Sequence, residues 1–277
     1  MDRIRIMDVA ELGMVLDWAA EEGWNPGLDD AKVFFAADPG GFFLKEVNGQ
    51  PAAAVSVVNH SPQFAFLGLY ICRPDFRGQG HGLDVWNAGL AHADARCIGL
   101  DGVPDQQENY ARSGFTGHGR TIRYRGGLGG DGDLGARPVK DADLAALRLA
   151  DTVACGFDRN RFTNNWFRDT GTRRTLVLPE TGAHPAFATF RRCRDGVKIG
   201  PLHADTHAQA KALLAAIATA CNSDRYFIDV PEGSAALSVL LRARGFEPVF
   251  ETARMFSSAP PVATPPGFHA IASLELG

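Results

Sequence analysis

At 277 residues, with 45% apolar and 22% charged residues, the chain has the composition of a globular protein of one large domain or two ordinary ones. The net charge is −4; residues 1–130 hold 11 Lys+Arg against 16 Asp+Glu, net −5, and the remainder is net +1. Neither half has the broad basic field of a nucleic-acid binder, so any bound anion must be held by local geometry. The five scattered cysteines (Cys72, Cys97, Cys155, Cys193, Cys221) lack zinc-ligand spacing and suit a reducing compartment. With no signal segment and no long apolar run to be read, a cytoplasmic protein that does not span a membrane is expected.

In chain order, Ile4-Arg5-Ile6 opens as a short strand. Asp8, with Glu11 three residues on, begins a helix as a capping box would, and Leu12, Val15, Leu16 and Ala19 face inward. Gly23-Trp24-Asn25-Pro26-Gly27 ends that helix, and Asp29 and Asp30 are expected to cap a second, short one. Phe42 to Val47 and Pro51 to Val58 are strands joined at Asn48-Gly49, a hairpin signal. Phe64 to Cys72 is an apolar strand, stopped at Arg73-Pro74 because proline cannot donate to a ladder. Arg77-Gly78-Gln79-Gly80-His81-Gly82 follows. A helix then starts, with Leu83, Trp86 and Leu90 on one face. Arg96 to Asp101 is a strand, Gln106 to Ser113 a helix closed by Gly114, and Phe115 to Tyr124 a strand.

Residues 126–135, GGLGGDGDLG, hold six glycines and almost no apolar mass, which marks a linker between domains at 1–125 and 136–277. The pattern then partly repeats. Asp141 caps a helix through Leu144, Leu147 and Leu149. Phe187 to Cys193 and Val197 to Leu202 are strands, Thr206 to Ala220 a helix, Tyr226 to Val230 a strand, Ser234 to Arg244 a helix and Val249 to Phe256 a strand. The proline-rich SSAPPVATPPG tail reads as loop.

The glycine turn that opens a helix is the chemical centre. Glycines let backbone N–H groups converge on a ligand, the helix N-terminus adds partial positive charge, and Arg77 adds a fixed cation: an anion site. No Lys-Ser/Thr follows, so it is not a Walker loop, and its glycine spacing is not the dinucleotide fingerprint.

Arg77-x-x-Gly80-x-Gly82 after a strand ending in Arg73-Pro74-x-Phe76 resembles the acyl-CoA pyrophosphate loop of the GNAT superfamily of N-acetyltransferases. Tyr110-Ala-Arg-Ser-Gly114-Phe115 is similar to that family's tyrosine four residues before Gly-Phe, and the element order of residues 1–125 is that of the family. The second half resembles the GNAT-like domain that accompanies some bacterial members. The fold implied is α/β (α+β), two tandem GNAT-like domains, each a mixed, mostly antiparallel twisted sheet flanked by helices. Acetyl-CoA is the implied cosubstrate, bound by Arg77, Gly78, Gln79, Gly80, His81 and Gly82 at its pyrophosphate, and by the backbone of Tyr70, Ile71 and Cys72 along its pantetheine arm. Tyr110 is the implied general acid. Trp24 and Asn25 are the implied acceptor-lining residues, and no metal is implied. One departure is Val103, where many members carry an asparagine; Gln106, Gln107 and Asn109 are the alternatives for that contact. Asp101, His60 and Glu22 are the alternatives for a base.

The resemblance implies acetyl transfer to the primary amine of a small molecule or amino-acid-like acceptor. The alternative is an acyl-CoA-binding sensor or interaction module without turnover. Neither nucleic acid nor membrane is an expected partner, and a homodimer is left open. In the second half the glycine loop is replaced by His203-Ala204-Asp205-Thr206-His207, and Leu241 stands where a tyrosine would. That half is expected to bind no cofactor and to cover the acceptor side of the cleft, with Asp229 and Arg254 as residues that reach the amine.

Overall fold

Asp8 starts the first helix as its spacing demands: its carboxylate accepts from the Glu11 N–H (2.8 Å) while Glu11 accepts from the Asp8 N–H (2.9 Å). The computed structural model describes residues 2–129, 135–179 and 184–277. The first half runs β1 (Arg3–Ile6), α1 (Val9–Glu21), α2 (Asp30–Ala37), β2 (Phe42–Val47), β3 (Gln50–Asn59), β4 (Phe64–Cys72), α3 (His81–Ala93), β5 (Cys97–Gly102), α4 (Gln107–Arg112) and β6 (Thr116–Gly126). The second runs β7 (Arg137–Pro138), α5 (Leu144–Cys155), α6 (Asn160–Trp166), β8 (Arg173–Val177), β9 (Phe187–Arg192), β10 (Val197–Ala204), α7 (His207–Cys221), β11 (Tyr226–Pro231), α8 (Ala235–Ala243), β12 (Glu247–Phe256) and β13 (Phe268–Ala270). This is the α/β tandem architecture expected. Of the glycine-rich stretch, Gly126 closes β6, and residues 130–134 lie outside the described residues.

The strands form one sheet in the order β1-β2-β3-β4-β5-β12-β6-β11-β10-β9-β8-β7, with β13 added on β10. Two neighbours are parallel, β4 with β5 and β10 with β11; the rest are antiparallel. The order of pairings therefore reads the same from either edge, centred on the β6–β12 pair. β12, from the second half, lies between β5 and β6 of the first; β6, from the first, lies between β12 and β11 of the second. Each half completes the other's sheet.

Packing departs from the helical faces read in the sequence at two leucines. Leu83 is 60% exposed and Leu149 is 66% exposed. In α3 the buried positions are Val85, Trp86, Gly89 and Ala93. Gly89 sets that face, because a Cβ there would lie 2.8 Å from a Val57 methyl, so the helix sits directly on β3. Asp29 and Asp30 do not cap α2 through their side chains. They pair instead with arginines of the second half. Arg173 reaches Asp29 (2.8 Å) and the fully buried Asp30 (2.9 Å), and Arg191 reaches Asp30 (3.1 Å). The Trp166 ring lies against both guanidinium groups, 4.4 and 4.6 Å from its centre. A shared apolar core surrounds them, joining Leu12 and Phe34 to Phe162, Trp166 and Phe187.

Breaking one partner of a buried pair strands the other charge. Asp30→Asn is therefore expected to cost about 3–5 kcal/mol in denaturant unfolding. Burial alone would raise the Asp30 carboxyl, but Arg191 and Arg173 bring it below its ordinary 3.8. Its stabilisation is thus present above pH ~4 and is lost as pH falls through the lowered folded value. The asparagine variant should show a flatter loss of stability in acid than the wild type; an equally steep one would remove Asp30 from the acid response.

Candidate active site

β4 pairs with β5 only from Phe64↔Cys97 to Leu67↔Leu100. Beyond Leu67 it bulges: Ala54 faces Ile71 and Ser56 faces Gly68, so Leu69 and Tyr70 oppose the single Val55. Leu69 takes a left-handed φ of +48°, a conformation that costs a branched residue about 1–2 kcal/mol and is found where a strand must be re-aimed. The two strands part there. The gap opens into a cleft of about 790 Å³.

Tyr70, Ile71 and Cys72 lie along one wall of this cleft, as expected of the strand that would hold an extended amide chain. Arg77 also lines it. Its Nε donates to the Cys72 carbonyl (2.9 Å) and its Nη2 to Glu22 (2.5 Å). Both partners of that ion pair are exposed, so the pair is weak. Gly78, Gln79, Gly80, His81 and Gly82 follow outside the cavity lining and lead into α3. Gly78 and Gly80 have φ of +74° and +88°, and a Cβ on either would meet nothing within 4 Å. Gly80 is the N-cap of α3 and, having no side chain, leaves the first N–H groups of the helix open. At Gly82 a Cβ would lie 2.9 Å from the Tyr70 hydroxyl, so glycine is required for the strand and helix to meet.

Tyr110 lines the cleft from α4. Its ring stacks on Trp86 (5.5 Å between centres), which meets Tyr70 edge-on (5.1 Å). Gly114, at φ +90°, closes α4, and the Phe115 N–H bonds back to the Tyr110 carbonyl (3.1 Å). The Tyr–x₃–Gly-Phe spacing thus fixes the ring. Burial, with a smaller contribution from Tyr70, pushes the phenol well above its usual pKa, so it keeps its proton across the neutral range. The Cys72 thiol is also raised, by burial against the smaller opposing effect of Arg77, which disfavours a thiolate nucleophile.

Of the alternatives to the missing asparagine, Gln106 lines the cleft beside Val103, whereas Gln107 donates to the Gly102 carbonyl (3.2 Å) and Asn109 to Gln106 (2.8 Å). Of the base candidates, Glu22 and Asp101 line the cleft. Asp101 is held bidentately by Arg254 (3.0 and 2.8 Å), and burial outweighs that pairing to raise its carboxyl. His60 is elsewhere: its buried Nε2 donates to the Leu276 carbonyl (2.9 Å), and burial brings its pKa down to about 4.

Trp24 lines the cleft, with its carbonyl accepting from Arg123 (2.9 Å) and Lys198 (3.1 Å). Asn25 does not. Its amide is bound to the backbone of Asp195 in the turn between β9 and β10, so it ties the halves together. Asp229 and Arg254 are also absent from the lining. Asp229 holds Arg123 in a buried pair (2.7 and 2.9 Å), and Arg254 is committed to Asp101. What the second half does bring is Phe250, Glu251 and Thr252 from β12, and Leu274 and Glu275 from the C-terminal tail. No local signal could have found them, because strand exchange and the return of the tail decide their place.

At the corresponding point of the second half, Thr206 caps α7 and Gln209 accepts from the Asp205 and Thr206 N–H groups (2.9 and 3.1 Å). The Gln209 N–H in turn donates to the Thr206 hydroxyl (3.2 Å), which completes a capping box. β10 pairs with β11 over Val197–Ile199 alone, and the gap beyond is taken by β13, paired with β10 at Leu202–Ala204.

Comparison with known proteins accords with this arrangement. Residues 11–115 match the acetyltransferase (GNAT) family model and residues 147–266 a second acetyltransferase (GNAT) domain model. Holothin acyltransferase of Pseudoalteromonas sp. (strain SANK 73390) is 34% identical over 270 residues, covering 96% of this chain and 92% of that protein. A putative acetyltransferase from Pyrococcus horikoshii superposes with a TM-score of 0.83 at 20% identity, over 100% of this chain and 96% of the other. A tandem GNAT protein from the clavulanic acid biosynthesis pathway does so with 0.64 at 14% identity, over 95% and 100%. At such identities the two structures speak for the fold alone. The family models and the holothin relative speak for more: the chain belongs to the GNAT family and is an acyltransferase built from two GNAT halves.

Proposed function

We propose that the first half transfers an acetyl group from acetyl-CoA directly to the primary amine of a small acceptor. The observation that carries this is the uncapped N-terminus of α3, with Arg77 beside it, at the mouth of the β4–β5 gap. Pyrophosphate fits that N-terminus, and the pantetheine arm adds to the free edge of β4. The backbone around Ile71 polarises the thioester carbonyl. The amine nitrogen attacks that carbon and releases its proton to solvent water, the C–S bond breaks, and Tyr110 gives its proton to the departing sulfur. The holothin relative supports a small-molecule acceptor, and holothin belongs in the first panel of amines tested.

The second half takes no acyl-CoA in this reading. Gln209 already occupies the N–H groups a phosphate would need, and β13 fills the gap where a pantetheine arm would lie. Calorimetric titration of the full chain with CoA is expected to give one site; two sites would remove this part of the proposal.

Arg77→Ala loses a charge-assisted contact worth about 1.5–3 kcal/mol and should weaken acetyl-CoA binding by ~10-fold or more. Unchanged affinity would take away the cofactor assignment. Tyr110→Phe should leave that affinity in place and lower kcat by about 10²-fold. Because the phenol is raised, the wild-type rate should not fall through the usual tyrosine value of 10.0 as pH rises. Binding of acetyl-CoA with no thiol released in the presence of any amine would favour a sensor instead.

A further inference from the structure

From Gly267 the chain turns back through the molecule. After β13, the Ile271 N–H donates to the Asp229 carbonyl of β11 (3.1 Å), so the tail bridges the gap in the second half. Two glycines mark its path. A Cβ on Gly200 of β10 would lie 2.1 Å from the Ile271 carbonyl oxygen, and a Cβ on Gly68 of β4 would lie 2.1 Å from that of Glu275. Both glycines stand where the strand pairing shifts register. The tail thus closes on both partings of the sheet, and no side chain at either glycine could be accommodated. Its end is fixed from several elements: Arg191 to the Ala272 carbonyl (3.1 Å), His60 to the Leu276 carbonyl (2.9 Å), the Gly277 N–H to the Ser273 carbonyl (3.1 Å) and Arg159 to the Gly277 carbonyl oxygen.

This places Leu274 and Glu275 in the lining of the catalytic cleft, with Trp24, Phe250 and Thr252. Glu275 is 2% exposed. Its Oε2 accepts from the Ser273 hydroxyl (2.5 Å), while Oε1 has no hydrogen-bond partner among the described residues. The nearby cations do not supply one. Arg123 and Arg191 are engaged with Asp229 and Asp30, and Lys198 with the Trp24 carbonyl, although Glu275 lies close enough to favour the charged form of all three. A buried carboxylate oxygen left without a donor is costly, and a preorganised, unfilled acceptor in a binding cleft selects for a ligand that brings the donor.

We infer that Glu275 is the acceptor-binding carboxylate of this acyltransferase: its Oε1 receives an N–H of the incoming amine, whose apolar body rests on Leu274, Trp24 and Phe250. The acceptor class is a small, largely apolar primary amine without a carboxylate beside the nitrogen, since a second anion next to Glu275 would be repelled. The inference rests on the transferase reading above and deepens it.

The test uses the full chain, acetyl-CoA, and a panel of holothin, tyramine, tryptamine, benzylamine and tyrosine, with thiol release as the readout. Tyrosine should be far poorer than tyramine. Glu275→Gln should raise KM for the fastest amine by about 10-fold or more, the loss of one hydrogen bond to a charged group, while the Kd for acetyl-CoA holds. Glu275→Asp, which keeps the charge but withdraws it by one methylene, should fall between. Wild-type KM and kcat in Glu275→Gln would overturn the inference and leave the transferase standing. So would a parallel loss of acetyl-CoA affinity and Tm, or a Gln variant that does not fold beside an Asp variant with wild-type KM. A wild-type chain that binds acetyl-CoA and releases no thiol with any amine would fail the transferase reading, and this inference with it.

Discussion

The exchange of β6 and β12 is the constraint on which the rest depends. A parallel pair such as β4–β5 needs a further strand beyond β5 to satisfy that strand's other edge, because an unpaired edge leaves a row of backbone donors and acceptors open. Here β12 comes from the far end of the chain to pair with β5 at Gly99–Gly102. β6 does the same for β11. Neither half has a finished sheet without the other. The cleft inherits this: Asp101, at the end of β5, is held by Arg254 of β12, and Phe250 to Thr252 come in on the same strand.

The junction is also where the chain buries its charge. Arg123, Arg173, Arg191 and Lys198 are each at most 3% exposed, and the carboxylates of Asp30 and Asp229 stand among them. Such a cluster is poor value as stability when set against apolar packing, but it is unforgiving of misalignment, because a slipped strand would strand a charge in a medium that cannot solvate it. Asp30 on α2 and Asp229 on β11 draw arginines from β6, β8 and β9, so a single register satisfies all of them. The carbonyl of Trp24 receives both Arg123 and Lys198. A loop that lines the cleft is thereby set by the junction rather than by its own sequence.

Much of this was legible one residue at a time. The helix start at Asp8, the hairpin at Asn48-Gly49, the glycine turn into α3 and the Tyr110–Gly114–Phe115 stop all depend on neighbours within a few positions, and each stands as read. What failed depends on distant neighbours. An aspartate at a helix start looks the same whether it caps or, like Asp30, pairs with Arg173 and Arg191. Leu83 and Leu149 fit a helical period but face solvent, since the buried face is chosen by the partner surface. Asn25 sits in the expected loop and is taken by Asp195. α6, β7, β8 and β13 have no counterpart among the elements read from the sequence; β7, β8 and β13 are short, and β13 begins just after a proline-rich run that reads as loop. Glu275 carries no motif at all.

The two helix N-termini differ in what closes them. Both follow a strand that bulges beside a parallel neighbour, each at the end where its own parallel pair parts. At α3 glycines stand at the N-cap and two residues before it, and no side chain caps the first turn. At α7 Thr206 and Gln209 form a capping box, a device that stabilises a helix end by about 1 kcal/mol. The second parting is filled by β13. The tail that fills it then emerges at the first parting with Leu274 and Glu275 in the cleft. The filling of the second parting is thus mechanically linked to the shape of the wall at the first, through a segment only a few residues long in which Leu274 alone is half-buried and the rest are buried.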